Sequence, residues 1–254
     1  MGLREDKTWG SDIYEYGDGT AMWLPGHLAI GLLLSLFALA LYARGHRPLL
    51  LPLAFVAFFS VLPDFLHIGG LRAFSHSILG ATVLLVVALV VILAMRGLTP
   101  LLALVAAISL YSHLLADIWI GHIYPWWPWS DQIVQNNPFN TIYDLRVELF
   151  LSFLAFVPFA WIMLRRPRDL RIESSDRRDL LPLTMLMGLF FVFSLAQTVY
   201  FIDLDILTEP TVSAVLLLLV FLGSLIASLI VLVGSVRRIG KESIIPLGNR
   251  FSGP

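Results

Sequence analysis

Long apolar runs separated by short polar breaks dominate this chain. Seven such runs fall at about 24–43, 49–67, 76–95, 100–119, 146–164, 180–202 and 211–234. Each approaches the roughly 20 residues that an α-helix needs to cross a hydrocarbon core of ~30 Å. The pattern predicts an all-α, polytopic transmembrane helical bundle of about seven spans. The second run is the weakest. Its unbroken apolar part is only Leu49 to Leu62, and it reaches spanning length by including Asp64 and His67, so a re-entrant helix is the alternative there. Neither an inverted repeat nor a low-complexity tract is visible.

Composition agrees with a bilayer as solvent. The chain is 58% hydrophobic and 14% charged over 254 residues, where soluble domains run near 45–50% and about 25%; mean hydropathy is +0.83. A formal charge of −1 offers no basic surface for nucleic acid. The absence of cysteine removes disulfide frameworks, thiolate metal sites and cysteine nucleophiles together. A soluble enzyme, a secreted disulfide scaffold and a transcription factor are thereby excluded.

The basic residues orient the spans. With seven crossings, Arg4, Lys7, Arg72 and Arg146 fall on one side, and the other thirteen of the 17 Lys and Arg residues fall on the opposite side. The positive-inside rule puts the N-terminus outside and the C-terminus in the cytoplasm. Residues 1–23 carry Asp6, Asp12, Glu15 and Asp18, which break any signal-peptide core and point to a retained outer segment. The expected organisation is this outer segment, a five-span half over 24–164, a cytoplasmic loop over 165–179, a two-span hairpin over 180–236 and a cytoplasmic tail over 237–254. In the last span Gly223 and Ala227 form a small-xxx-small pair that hints at close helix packing.

Against that topology, His27, His67, His76, His113 and His122 fall on the outer face, and only His46 lies inside. Asp64, Asp117, Asp144 and Glu148 map to the same outer face. Ionisable groups at membrane depth are costly and mark function by default. Asp64 and His67 are three apart, and His113 and Asp117 four apart, which on a helix places each pair on one face. Such pairs can converge on one cation, with His27 and His76 completing the shell from neighbouring spans. Nitrogen and oxygen donors without thiolate suit a divalent ion, zinc first, with manganese or iron as alternatives. His122 and Asp144 are the candidate catalytic residues, as proton shuttles. Glu148 can pair with Arg146 or Arg72. The aromatic run Tyr124-Pro125-Trp126-Trp127-Pro128-Trp129 reads as an interfacial belt, or as the mouth of a route for a lipidic substrate.

The order Gly26-His27, Leu62-Pro63-Asp64, Ser75-His76-Ser77, His113-Leu114-Leu115-Ala116-Asp117 and Tyr124-Pro125-Trp126 resembles the membrane-bound metal-dependent hydrolases of the YdjM/YbcI type, also described as LexA-binding, inner-membrane-associated hydrolases. That family's pattern is an early His, a Pro-Asp-x-Asp, a His-Arg-x-x-Thr-His-Ser and a His-x-x-x-Asp before a Gly and a Pro-rich aromatic turn. The resemblance covers about residues 24–150. It implies a prokaryotic cytoplasmic (inner) membrane location, divalent-metal binding for hydrolysis, and a distant likeness to zinc-dependent phospholipase C. Two family positions are changed: the second Asp falls at Leu66 and the His of His-Arg at Leu71. These losses favour one bound ion over two.

The expected function is therefore hydrolysis of a phospholipid or other amphiphilic (phospho)ester at the outer membrane face, with membrane lipids as partners and no nucleic acid. The oligomeric state is not readable. A non-catalytic metal-binding scaffold or regulator is the first competitor. An ion transporter is the second, and the nearly wholly apolar inner halves of the spans count against it.

Overall fold

The computed structural model describes residues 23–44, 48–66, 71–95, 98–134, 145–165, 167–172, 177–207 and 211–244. The described residues form eight α-helices: α1 (Leu24–Arg44), α2 (Leu50–Phe59), α3 (Arg72–Ser75), α4 (Ile78–Met95), α5 (Pro100–Ile120), α6 (Leu145–Arg165), α7 (Arg177–Phe201) and α8 (Val212–Ile244). Among the described residues there is no strand, only one isolated bridge between Ile123 and Val134. α1, α4, α5, α7 and α8 are long and apolar enough to cross a membrane. Among the described residues, then, five helices meet the length and composition that a crossing needs.

The second apolar run does not form one continuous helix. α2 holds ten residues, about 15 Å of rise and half a hydrocarbon core, and a 3₁₀ helix follows at Leu62–Leu66. Pro63 is the cause. It has no N–H to donate to Phe59, and its ring clashes with the carbonyl one turn back. The Asp64 N–H bonds to Val61 O at 3.1 Å, the tighter spacing. Two other boundaries move as well. α4 starts at Ile78 rather than 76, leaving His76 in a turn, and α8 runs on to Ile244 past the expected end at 234. Arg237, Arg238 and Lys241 are good helix formers that complement the helix C-terminus, and the Arg238 guanidinium donates to the Ile172 carbonyl.

α1 packs against α5 and α6, α2 against α5 and α7, and α7 against α8. One continuous cluster of buried Leu, Phe, Val and Ala fills the space between them. α4 and α8 stand at the edge. Only 17% of the spanning window of each is buried, and Val86, Val90, Leu219 and Ile230 point outward. Such faces require an apolar solvent. Gly223 is not a close-packing position: a Cβ there would meet no atom within 4 Å.

An apolar cavity of about 500 Å³ lies between α1, α2, α6 and α8, with Leu28, Leu32 and Ala57 on its wall. It is bordered by a different face of α1 from the one carrying His27, Gly31 and Ser35, which turns toward α5: Ser35 Oγ lies 3.1 Å from Ser109 Oγ. None of the ionisable residues discussed below lines it.

Candidate metal centre

Four pieces of chain bring ionisable side chains to one end of the bundle. The first turn of α1 carries His27, the 3₁₀ turn carries Asp64, the α3–α4 turn carries His76, and the last turns of α5 carry His113 and Asp117. The structure brings these five together. Asp117 Oδ2 lies 3.0 Å from His76 Nε2 and 3.5 Å from His113 Nε2, while its Oδ1 is 3.6 Å from His27 Nε2. Asp64 Oδ1 is 3.4 Å from both His76 and His113 Nε2, and its Oδ2 is 3.7 Å from His27 Nε2. The Nε2 atoms of His76 and His113 are 3.2 Å apart, and the His27 and His113 rings stack at 3.8 Å.

These separations fit ligands of a common ion. Donors at ~2.0–2.1 Å from a tetrahedral centre stand roughly 3.3 Å from one another. Two triads, His27–Asp64–His113 and His76–His113–Asp117, have ligand atoms all within 4.8 Å, and His113 belongs to both. All five residues are buried, the three imidazoles completely. Two enclosed carboxylates carry negative charge that burial penalises until a cation or protons offset it. Neither ring nitrogen of His27 and neither carboxylate oxygen of Asp117 makes a well-formed hydrogen bond among the described residues. The donor set and these open atoms can hold a divalent metal ion.

The supporting contacts fix which nitrogen faces inward. His113 Nδ1 donates to Ser60 O at 2.8 Å. That carbonyl is available because the 3₁₀ turn sends the Asp64 N–H to Val61 instead. His76 Nδ1 lies 3.2 Å from Arg72 O and 2.9 Å from Ser75 Oγ. In both rings Nε2 is left for the centre, the usual arrangement of ligating histidines. Ser77 caps α4: its Oγ accepts the Gly80 N–H at 2.9 Å and donates to Phe74 O at 2.8 Å. The segment after α5 braces the same turn, since Tyr124 N–H donates to His76 O at 3.1 Å and Ile78 N–H to Pro125 O at 3.3 Å.

The other residues singled out in the sequence are not all described, and those that are lie elsewhere. His67, His46 and Asp144 lie outside the described residues. His122 is buried beyond α5, its Nε2 3.4 Å from Tyr124 Oη, and belongs to neither triad. Glu148 is fully buried, and its Oε1 accepts the Trp23 N–H at 2.6 Å, tying the start of α6 to the start of α1. In the aromatic run Trp126 and Trp129 are exposed, as a belt requires, whereas Trp127 packs edge-on against Phe74. Leu71 is 47% exposed and turned away from the centre. Sequence reasoning missed the Ser60 carbonyl, although a proline three residues on was a signal that backbone groups would be released. It also missed Gly31, which lets Ser60 approach α1: a Cβ there would stand 1.9 Å from Ser60 Oγ. No family model, curated protein or solved structure matches this chain.

Proposed function

We propose that this protein is a membrane-embedded, metal-dependent hydrolase acting on a phospholipid or other amphiphilic (phospho)ester, of the YdjM/YbcI type that its motif order resembles. The observation that carries the reading is the five-donor cluster itself, three imidazoles and two carboxylates enclosed at one end of an apolar bundle. In this reading the chain crosses the prokaryotic cytoplasmic membrane seven times. α2 with its 3₁₀ extension makes the second crossing and α6 the fifth, the N-terminus is outside, and the cluster sits at headgroup depth on the outer face.

When bound, a divalent cation, zinc first, supplies Lewis acidity: it polarises a phosphoryl or carbonyl oxygen and acidifies water. The chain's own residues do the rest. His76 and His113, tethered through Nδ1, present Nε2 to the centre, and Asp64 and Asp117 set its charge. His122, outside both donor triads, and Asp144 take up the proton. Water's oxygen bonds to the attacked phosphorus or carbon, the bond to the alcohol breaks, and water's protons end on the alcohol and the acceptor.

A structural metal is the second reading, and one observation favours it: complete enclosure of the imidazoles suits a closed shell better than an open position. The full chain in nanodiscs separates the two. Mass-spectrometric metal analysis and a phosphodiester and lipid hydrolysis screen, each with and without chelator, should give one ion per chain and chelator-sensitive turnover. Metal without turnover on any substrate favours the structural reading, and a metal-free chain overturns both.

Topology has its own check. Single cysteines replacing Ser11 and Ser174 should label oppositely with an impermeant thiol reagent in intact cells, Ser11→Cys from outside and Ser174→Cys only after permeabilisation. External labelling of Ser174→Cys reverses the orientation.

A further inference from the structure

Arg72 opens α3, four residues before His76, and the two are joined by the His76 N–H to Arg72 O bond of 2.9 Å. Residues at that spacing share a helix face, so Arg72 and His76 leave this turn on one side. α3 packs on the 3₁₀ turn that carries Asp64. The Nε and Nη2 atoms of Arg72 are buried, yet neither has a hydrogen-bond partner among the described residues. A shielded guanidinium edge with nothing to donate to is costly. Here it persists on a turn packed against the one that carries Asp64, and among the described residues no ion pair joins it to either carboxylate of the cluster.

We infer that Arg72 binds a phosphoryl group of the ligand, in a subsite adjoining the five-donor cluster; this rests on the hydrolase reading and narrows its substrate class to phosphoesters. Nε–H and Nη2–H form the side-on edge of the guanidinium fork, which matches two oxygens of one anion. A carboxylate has two oxygens, and the fork would use both. A phosphoryl group gives two oxygens to Arg72 and keeps a third for the cluster. The single turn Arg72–Ser75 thereby serves both halves of the site, its first residue holding the anion and its carbonyl orienting His76.

The test compares wild type, Arg72→Lys and Arg72→Gln as full chains in phosphatidylcholine nanodiscs, titrated calorimetrically with inorganic phosphate, with short-chain phosphatidic acid and with acetate, after metal content is measured on each sample. The expected result is unchanged metal content in all three and at least about tenfold weaker binding of both phosphoryl ligands to Arg72→Gln, the loss of one charge-assisted pair. Arg72→Lys should fall between, because a point charge keeps attraction without the fork. Tighter binding of phosphatidic acid assigns the phosphoryl group to a lipid headgroup, and equal binding assigns it to a free phosphate ester; both support the inference. Wild-type phosphate affinity in Arg72→Gln with metal retained overturns it while leaving the metal reading intact, as does acetate binding as tightly as phosphate. A metal-free wild type overturns the hydrolase reading, and the phosphate titration of the same samples still decides Arg72.

Discussion

Replacing His113 with alanine is expected to empty the metal centre. His113 belongs to both donor triads, stands 3.2 Å from His76 Nε2 and stacks on His27 at 3.8 Å, so its removal takes a ligand from each triad. Loss of a residue that merely orients a ligand already costs ~10–100-fold in affinity, and loss of this shared ligand should exceed that. Metal content by mass spectrometry after dialysis is the measurement. His113→Gln, closer in size, guards against a collapse of packing, and His46→Ala, which the positive-inside reading puts on the opposite side, should keep its metal. Equal loss from His46→Ala would mean that the readout follows misfolding.

Gly80→Ala should do comparable damage without touching a ligand. A Cβ at position 80 would stand 1.8 Å from the Phe74 carbonyl oxygen and 2.6 Å from its carbon. Those are backbone atoms, which cannot swing aside as the end of a side chain can. Phe74 O also accepts from Ser77 Oγ at 2.8 Å, so displacing it disturbs the α4 cap and drags His76 with it. Overpacking combined with a damaged cap should cost about 2–4 kcal/mol, visible as a lower melting temperature and weaker metal retention. Gly223→Ala, with open space around it, is the matched control and should change neither. A Gly80→Ala chain that melts and binds metal like wild type would show that the α3–α4 turn yields more freely than its contacts suggest.

The parts of the centre that follow a helical period were legible in the sequence. His113 and Asp117 are four apart within one uninterrupted apolar run, and in α5 they meet as spacing requires, 3.5 Å apart. Convergence of His27, Asp64 and His76 on that pair was readable only as a shared face, because spacing within one element says nothing about distances between elements. The second run was harder still. Its apolar residues fit a helix throughout, and what divides it is one absent N–H at Pro63, whose effect passes through the backbone to the Ser60 carbonyl and from there to His113. Backbone carbonyls carry no residue-type signal, so Pro63 announced a released group without naming His113 as its partner. Arg72 shows another limit: in the sequence it stood only as a partner for Glu148, and the burial of its Nε and Nη2 was not readable there.

The bond from Trp23 N–H to Glu148 joins residues 125 apart in the chain, and that separation sets a delay during biosynthesis. At ~5–20 residues per second, roughly 6–25 s pass between synthesis of the start of α1 and arrival of the carboxylate that caps it. Asp117, which faces His27 at 3.6 Å, arrives only a little earlier. Through that interval the newborn first helix carries an uncapped amide, and until Asp64 and then Asp117 follow an unmatched imidazole as well, and hydrocarbon would satisfy neither. Water can serve both as long as that end of the helix waits at the bilayer boundary. The clustering of these polar groups at helix ends therefore suits the order of manufacture as well as the finished molecule: each helix can be threaded before its companions exist, and the last to arrive expels the water.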